Sequence, residues 1–252
     1  MSLISTPAII LATLRYGETS KIVRLATRDH GVQSAIAKGA LRPRSRFGAA
    51  LQVLSGGQAH LLLSERRELH TLTGFDLATL PVGLTVEIAR YATAAALAEV
   101  MLRVAPAEPH PEAYDLLAEG LDSLARLPSS ELPAVSLRLL WRLVGALGFS
   151  PALTLCARDG GSLPPGGMRF SAPDGGALCA QCARSAEVVT LPPEARAALE
   201  MLAGESDDLP SLDVRHAAAH RRLLARYIHF HLAEGAALPA LEFWQAQAWG
   251  VP

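Results

Sequence analysis

The stretch that decides the fold is AIILATLRYGETSKIVRLATRDHGVQSAIAKGALRPRSRFGAAL, residues 8–51. Together with Pro7, which precedes it, the stretch forms three short runs rich in apolar and β-branched residues. These runs are Pro7–Leu14, Lys21–Thr27 and Val32–Lys38, with a glycine turn before the third. Short strands with glycine turns at this spacing are typical of a small barrel or sandwich. The first third of the chain is therefore predicted to be a β domain.

Two further segments extend this prediction downstream. ALQVL and QAHLLL flank Ser55-Gly56-Gly57 and predict a hairpin, and ELHTLTG, ending at Gly74, predicts a last strand. About five strands in a domain of this size suit an OB-fold barrel, although the pattern also fits an SH3-like barrel.

The character of the chain changes after Leu80. Leu84–Val104, Pro111–Leu127 and Leu132–Leu147 have helical spacing, whereas residues 150–190 are rich in Pro and Gly and hold all three cysteines. The predicted fold class is α+β, with an N-terminal OB-fold β-barrel over residues 1–80. An α-helical domain over residues 81–252 follows, with an inserted zinc-knuckle-like loop at about residues 150–190.

Charge is distributed unevenly along the chain. Residues 1–80 contain ten Lys and Arg against five Asp and Glu, a net charge of +5, although the whole chain carries −1. Four of these cations fall in the loop Lys38–Phe47, and arginine forks suit phosphate oxygens. A loop that is simply solvated is the alternative. The candidate DNA-binding residues are Lys21, Arg24, Lys38, Arg42, Arg44, Arg46 and Phe47.

Aromatic residues are scarce in this part of the chain. Binders of single strands usually combine a basic groove with several stacking rings, but residues 1–80 offer Tyr16, Phe47 and Phe75 alone. Affinity is therefore expected to come mainly from backbone charge. Such a surface accepts both single- and double-stranded DNA, with a strong salt dependence.

The cysteines form a second candidate site. Cys156 and Asp159 have the C-x-x-C spacing with a carboxylate in second place, and nineteen residues later Cys179 and Cys182 complete a true C-x-x-C. Three thiolates and one carboxylate can ligate zinc. Two interpretations stay open, namely one bound zinc ion with Asp159 as the fourth ligand, or a metal-free knuckle held by packing.

The absence of several sequence motifs argues against some classes of enzyme. The chain has no GxxxxGK[ST], GxGxxG after a strand or GxSxG, so it offers no phosphate loop for ATP and no nucleophile elbow. No convincing signal peptide and no run of about eighteen uninterrupted apolar residues is seen. The expectation is a cytoplasmic protein without a catalytic centre and without membrane partners.

Several segments together resemble the bacterial recombination mediator RecO family. They are the stretch quoted above, LRLLWRLVGALGFSPALTLCARDGG (137–161), FSAPDGGALCAQC (170–182) and RRLLARYIHFHL (221–232). The resemblance covers most of the chain, and it departs from the four-cysteine pattern of many members at Asp159. It implies a DNA-binding and strand-annealing mediator of recombinational repair that helps to load recombinase onto DNA coated by single-strand-binding protein.

The resemblance also implies partners. They are RecR and the acidic, apolar C-terminal tail of single-strand-binding protein. Arg138 is carried over as a tail-binding residue, and Arg142 lies one helical turn further on the same face. The alternative for both arginines is a solvated position on a helix that packs in the core.

Two other functions are weighed against the mediator. An RNA- or ribosome-associated module with an OB-fold and a zinc ribbon would share the charge pattern. A metal-dependent hydrolase could be built from the helix that carries His216, His220, His229 and His231, but no HExxH motif accompanies these histidines.

Overall fold

In the computed structural model, the chain is described over residues 2–64, 68–105, 108–233 and 235–247. It divides into two compact units, Met1–Arg126 and Leu127–Pro252. The first unit contains a barrel and helices, and the second contains helices and a small sheet. The predicted division into domains after residue 80 falls within the first unit and stays a prediction.

The N-terminal strands form a closed barrel in the order β1-β2-β3-β5-β4. The strands are β1 (Ser2–Tyr16), β2 (Ser20–Thr27), β3 (Gly31–Ala37), β4 (Gly56–Leu63) and β5 (Leu69–Thr79). Neighbouring strands are antiparallel except β3 and β5, which are parallel. A five-stranded barrel of this kind is an OB-fold, so the predicted fold class is confirmed.

Alternation along each strand fills the barrel interior. On β2, Val23 and Leu25 are fully buried, whereas Ile22 and Arg24 are only partly buried and belong to the outer face. Val23 pairs with the fully buried Ala35 of β3. The core of the barrel comprises Ala8, Ile10, Val23, Leu25, Ala35, Ala37, Phe47, Ala50, Leu51, Ala59, Leu61, Leu72 and Phe75.

The first half of the predicted hairpin, ALQVL, is wrong, whereas its second half, QAHLLL, forms β4. Residues 50–54 form no strand, and Ala50 and Leu51 instead insert their side chains into the barrel core. The backbone of this segment still bonds to β1, because Leu54 N–H donates to Ile10 O at 2.8 Å. The apolar residues that suggested a strand are therefore a plug between β3 and β4.

The helices of the first unit differ from the prediction in one place. The predicted helix Leu84–Val104 is two helices, α1 (Val82–Thr85) and α2 (Ile88–Val104), because Glu87 adopts an extended backbone. A third helix, α3 (Pro111–Arg126), follows. The buried Arg90 of α2 donates to Leu124 O of α3 at 2.6 Å, which holds these two helices together.

An ion pair joins the barrel to α3. Arg28, just after β2, donates to both carboxylate oxygens of Asp115 at 2.8 Å each. This bidentate contact lowers the pKa of Asp115 and raises the pKa of Arg28. Arg28 is thus used within the protein, although it lies close in sequence to the candidate DNA-binding residues.

The second unit is built around the helix α4 (Leu132–Val144), which ends in a wide turn over Gly145–Phe149. The other helices are α5 (Pro193–Ala203), α6 (Val214–Leu232) and α7 (Pro239–Ala246). Trp141 of α4 is buried against Phe170 and against Tyr227 of α6. These aromatic contacts tie the central helix to its neighbours.

The cysteine region contains a small sheet that the sequence did not predict. Its strands β6 (Met168–Ser171), β7 (Gly176–Leu178) and β8 (Val189–Leu191) pair antiparallel in the order β7-β6-β8. Strands of three or four residues are too short to show a period of two. The predicted irregular loop is therefore a compact β substructure.

The segment Leu132–Phe149 is long and apolar enough to cross a membrane by length and composition alone, but half of it is buried inside the protein. Leu137, Leu140 and Trp141 of this segment lie in the core of the second unit. A core helix passes the same test, and burial of this kind is what a core helix shows.

The close approach of β4 and β5 can be tested at Gly57. A Cβ atom there would lie 2.3 Å from the backbone oxygen of Asp76 and 2.9 Å from Phe75 Cε1. Gly57→Ala should therefore force the strands apart and lower the free energy of unfolding by about 1–3 kcal/mol, measured by urea denaturation. Gln58→Ala, an adjacent control, should change it by less than about 0.5 kcal/mol. Equal stability of Gly57→Ala and wild type would contradict the close packing.

Candidate nucleic-acid interface and metal centre

The basic loop leaves the barrel at the end of β3. Gly39 turns the chain with a φ of +73°, a conformation that favours glycine. Successive turns follow, in which Arg42 N–H donates to Gly39 O and Ser45 N–H to Arg42 O. The turns leave the side chains at positions 38, 42, 44 and 46 exposed to solvent. Four cations are therefore displayed on one compact loop.

Phe47 plays a different part from the one predicted. Its ring is 3% exposed and lies in the barrel core, so it is not available to stack on a base. The guanidinium of Arg46 lies 5.2 Å from the centre of this ring, at cation–π distance. Phe47 therefore anchors the loop and positions Arg46, and the predicted contact with DNA is left to the cations.

Lys21 and Arg24 lie on β2 beside this loop. The ammonium of Lys21 donates to Leu51 O at 3.3 Å, which ties the strand to the plug. Arg24 pairs with Ser34 on the outer face of the sheet, and its Nε has no hydrogen-bond partner among the described residues. Lys21 thus braces the plug against β2, whereas the Nε of Arg24 is buried and does not face solvent.

The cysteine cluster has the geometry of a four-ligand site. One ligand atom from each of Cys156, Asp159, Cys179 and Cys182 lies within 4.8 Å of the others. Asp159 Oδ2 is 3.5 Å from Cys179 Sγ and 3.2 Å from Cys182 Sγ. Tetrahedral zinc, with bonds of about 2.0–2.3 Å, separates its ligands by roughly 3.5 Å. The four residues predicted as ligands are brought together, and they fit a zinc ion.

Local backbone structure holds these ligands in two tight turns. In the first, Gly160 N–H donates to Cys156 O and Gly161 N–H to Asp159 Oδ1, both at 2.9 Å. In the second, Cys182 N–H points at Cys179 Sγ, 3.4 Å away. Backbone N–H groups that face a ligand orient it and stabilise its negative charge.

The cluster also shifts the acidity of its members. Hydrogen bonds from the Cys156 thiol, the Gly161 backbone and the Cys182 thiol lower the pKa of Asp159. The same carboxylate, with burial as a smaller cause, raises the pKa of Cys182 to about 12. Without a metal, Asp159 is thus a carboxylate that accepts from the protonated Cys182 thiol. A zinc ion would replace thiol protons, so its affinity should fall as the pH is lowered.

An arginine brace within this substructure was missed by the sequence analysis. Arg158 donates to the Asp174 carboxylate, to Ser185 Oγ at 3.1 Å and to Cys182 O at 3.3 Å. It therefore links the first turn to the second. The available signal was an arginine inside the first knuckle and an aspartate before the Gly175-Gly176 turn, but nothing in the sequence pairs them.

The two arginines of α4 both face the segment 204–208. Arg138 is 8% exposed, and its guanidinium donates to the backbone oxygens of Asp207 and Asp208. Arg142 donates to Ser206 O at 2.8 Å and lies 4.0 Å from the Asp207 carboxylate. Neither is an ordinary solvated arginine, because both hold this acidic segment against the helix.

Comparison with known proteins assigns both parts of the chain to one family. Residues 1–80 match the family described as Recombination protein O N terminal, and residues 86–238 match Recombination protein O C terminal. The chain belongs to the RecO family. The N-terminal match covers the barrel with its basic loop, and the C-terminal match includes the cysteine cluster and the arginine pair.

Individual RecO relatives are similar along almost the whole chain. "DNA repair protein RecO" of Rubrobacter xylanophilus is 32% identical over 94% of this chain and 95% of its own length. The protein of the same name from Frankia casuarinae is 34% identical over 93% and 96%. That from Streptomyces griseus is 30% identical over the same shares of the two chains.

The histidines of α6 do not add a second metal centre in the described part of the chain. His216 is exposed and pairs with Asp213, which caps the helix. His220 is 2% exposed, and burial lowers its pKa to about 4, so its imidazole is neutral. His231 binds Ala172 O at 2.7 Å. These structural roles give no support to the hydrolase hypothesis.

Proposed function

We propose that this RecO-family protein binds single- and double-stranded DNA through the basic loop of its barrel, as a non-catalytic mediator of recombinational repair in the cytoplasm. In that role it anneals complementary strands and helps to load recombinase onto DNA coated by single-strand-binding protein. RecR and the tail of single-strand-binding protein are its proposed partners. The observation that carries the proposal is the loop itself, in which four exposed cations are fastened to the barrel by a buried ring.

The electrostatics of the loop support phosphate as the ligand. Lys38, Arg42 and Arg44 form no ion pair among the described residues, and no acidic residue occurs in the sequence from Gly31 to Ser64. Uncompensated cations on a rigid support attract a polyanion and release its counterions. Contacts with DNA phosphates carry no sequence information, so such a loop supports binding without sequence preference.

The double variant Arg44→Ala/Arg46→Ala tests the loop. It should weaken binding to all DNA sequences about equally and flatten the log–log salt dependence by about one unit for each lost phosphate contact. Fluorescence anisotropy at several salt concentrations measures both effects. Arg103→Ala/Arg126→Ala, which removes two exposed cations from α2 and α3, is the matched control and should bind as wild type does. Unchanged affinity and slope in the loop variant would refute the assignment.

The same assay separates DNA from RNA. A mediator of DNA repair should bind a DNA oligonucleotide at least as well as the RNA of the same sequence in direct competition. Clear preference for RNA would favour the RNA- or ribosome-associated module instead.

We further propose that the Cys156, Asp159, Cys179 and Cys182 cluster holds one structural zinc ion. Such an ion would cross-link the two turns, and removing a ligand would destabilise the substructure that surrounds it. The support is the donor set and its spacing, together with the backbone N–H groups that face Asp159 and Cys179.

Elemental analysis of protein purified without chelator should find about one zinc per chain. Asp159→Cys should retain or tighten the ion because thiolate is the softer ligand, whereas Cys182→Ser should release it. Asp207→Asn, which changes a fully exposed carboxylate outside the cluster, should leave the zinc content unchanged. Metal-free wild-type protein in which residues 150–190 remain protected from proteolysis would show that packing alone holds the knuckle.

We propose the arginine pair of α4 as the contact for the acidic tail of single-strand-binding protein. Guanidinium groups suit carboxylates, and these two already hold the 204–208 segment through its backbone oxygens. The Arg142 side chain is 26% exposed and is the accessible member, whereas Arg138 is buried beneath the 204–208 segment.

Charge reversal tests this contact. Arg142→Glu should weaken binding of a fluorescent peptide with several carboxylates and an apolar end by about tenfold or more, and leave binding to naked DNA nearly unchanged. Arg138→Glu should also abolish peptide binding, but it should disturb the 204–208 segment as well. Arg222→Glu on α6 is the exposed control. Full peptide affinity in folded Arg142→Glu and Arg138→Glu proteins would place the tail elsewhere.

A further inference from the structure

An exposed apolar strip lies on the outer face of the barrel, next to the basic loop. Leu14, Tyr16 and Leu41 are 60%, 51% and 38% exposed. Tyr16 is the last residue of β1, and its ring is the one exposed aromatic ring among the described barrel residues, since Phe47 and Phe75 are 3% and 7% exposed. Exposed apolar side chains that cluster in this way mark binding surfaces more often than scattered ones do.

Strand register places Leu14 and Tyr16 on one face of the sheet. Leu14 and Tyr16 are two residues apart on β1, so they point to the same side of the sheet. Leu14 pairs with Ile22 of β2, which in turn pairs with Ile36 of β3. An apolar row thus crosses three strands, and Tyr16 stands at its edge, opposite Ser20.

The turn after Tyr16 touches the basic loop directly. Leu41 N–H donates to Thr19 O at 2.8 Å, and Gly39 N–H lies 3.4 Å from Ser20 Oγ. The loop therefore starts beside the β1–β2 turn, and its first exposed cation, Lys38, lies at the same end of the barrel as Tyr16. The Tyr16 ring and the start of the basic loop thus lie at one end of the barrel.

Charge around the strip favours an anionic ligand. Arg24 lies one row beyond the Leu14–Ile22–Ile36 row on the same face, and Lys38 follows the end of β3 on the other side. Between residues 8 and 28 the sequence has one acidic residue, Glu18, which lies in the exposed turn after β1. A nucleic-acid strand could thus place phosphates on the cations at both sides of an apolar centre.

We propose that Tyr16 stacks on a base of single-stranded DNA and so gives the barrel a preference for single strands over duplex. This inference rests on the proposed DNA binding by the basic loop and adds to it the residue that reads strandedness. A tyrosine ring gains contact area when a base presents its face, as in a single strand. In a duplex the base faces are covered by their neighbours, so Tyr16 contributes nothing there and the cations act alone.

The experiment measures the affinity of Tyr16→Ala and Tyr16→Phe for an oligothymidylate and for a duplex at one fixed salt concentration. Tyr16→Ala should lose at least about fivefold in single-strand affinity, the lower end of what removing a stacking ring costs. Its duplex affinity and salt slope should be unchanged. Tyr16→Phe keeps the ring and should bind both as wild type does. Tyr91→Ala, which removes a 40% exposed tyrosine from α2, is the matched control.

A second measurement compares the affinities of wild type and Tyr16→Ala for an abasic oligonucleotide of the same length. Wild type should bind it more weakly than oligothymidylate, and Tyr16→Ala should show a markedly smaller difference between the two. If the unfolding temperature of Tyr16→Ala differs from that of wild type, Tyr16→Gln takes its place. Equal losses for single strand and duplex, or an unchanged abasic difference in the variant, would overturn the role of Tyr16. Absence of DNA binding by wild type would instead refute the proposed function itself.

Discussion

The seating of Phe47, Ala50 and Leu51 in the barrel core is the interaction on which the candidate interface depends. A loop with four cations in nine residues repels itself and has few internal contacts to hold it in place. Burial of a single large apolar side chain contributes about 1.5–3 kcal/mol, which is enough to offset repulsion between solvated charges a few ångströms apart. Because these three residues are part of the barrel core, the loop cannot leave its position without exposing apolar surface.

This plug also marks the limit of what the sequence could predict about the barrel. The five strands β1 to β5 were predictable because their apolar residues alternate or lie between glycine turns. The run around Leu51 has the same composition, yet its residues enter the core from the end of the barrel instead of from a strand. Periodicity reports that a side chain is buried, and it does not report the direction from which it enters. Phe47 was predicted to contact DNA because a single sequence does not show whether a ring near cations is exposed.

The second unit shows a different limit. The four residues of the cysteine cluster were predictable because candidate metal ligands follow a spacing rule, and the structure brings all four together. The partners of Arg138 and Arg142 were not, since they are backbone oxygens more than 60 positions away. A backbone oxygen has no residue identity and leaves no pattern in the sequence. The brace from Arg158 to Asp174 was missed for a related reason, because any of several nearby acids could have served.

The arginines of the two units differ in whether their guanidinium groups already have partners within the chain. In the barrel loop, Arg42 and Arg44 have no acidic partner among the described residues, so their charge is available to an external anion. In the second unit, Arg138, Arg142 and Arg158 already donate to acceptors of the same chain. An external carboxylate must share or displace the 204–208 segment to reach Arg142, whereas a phosphate meets the loop without competition. Binding at the loop should therefore be governed by salt, and binding at α4 by the stability of a segment that the protein itself supplies.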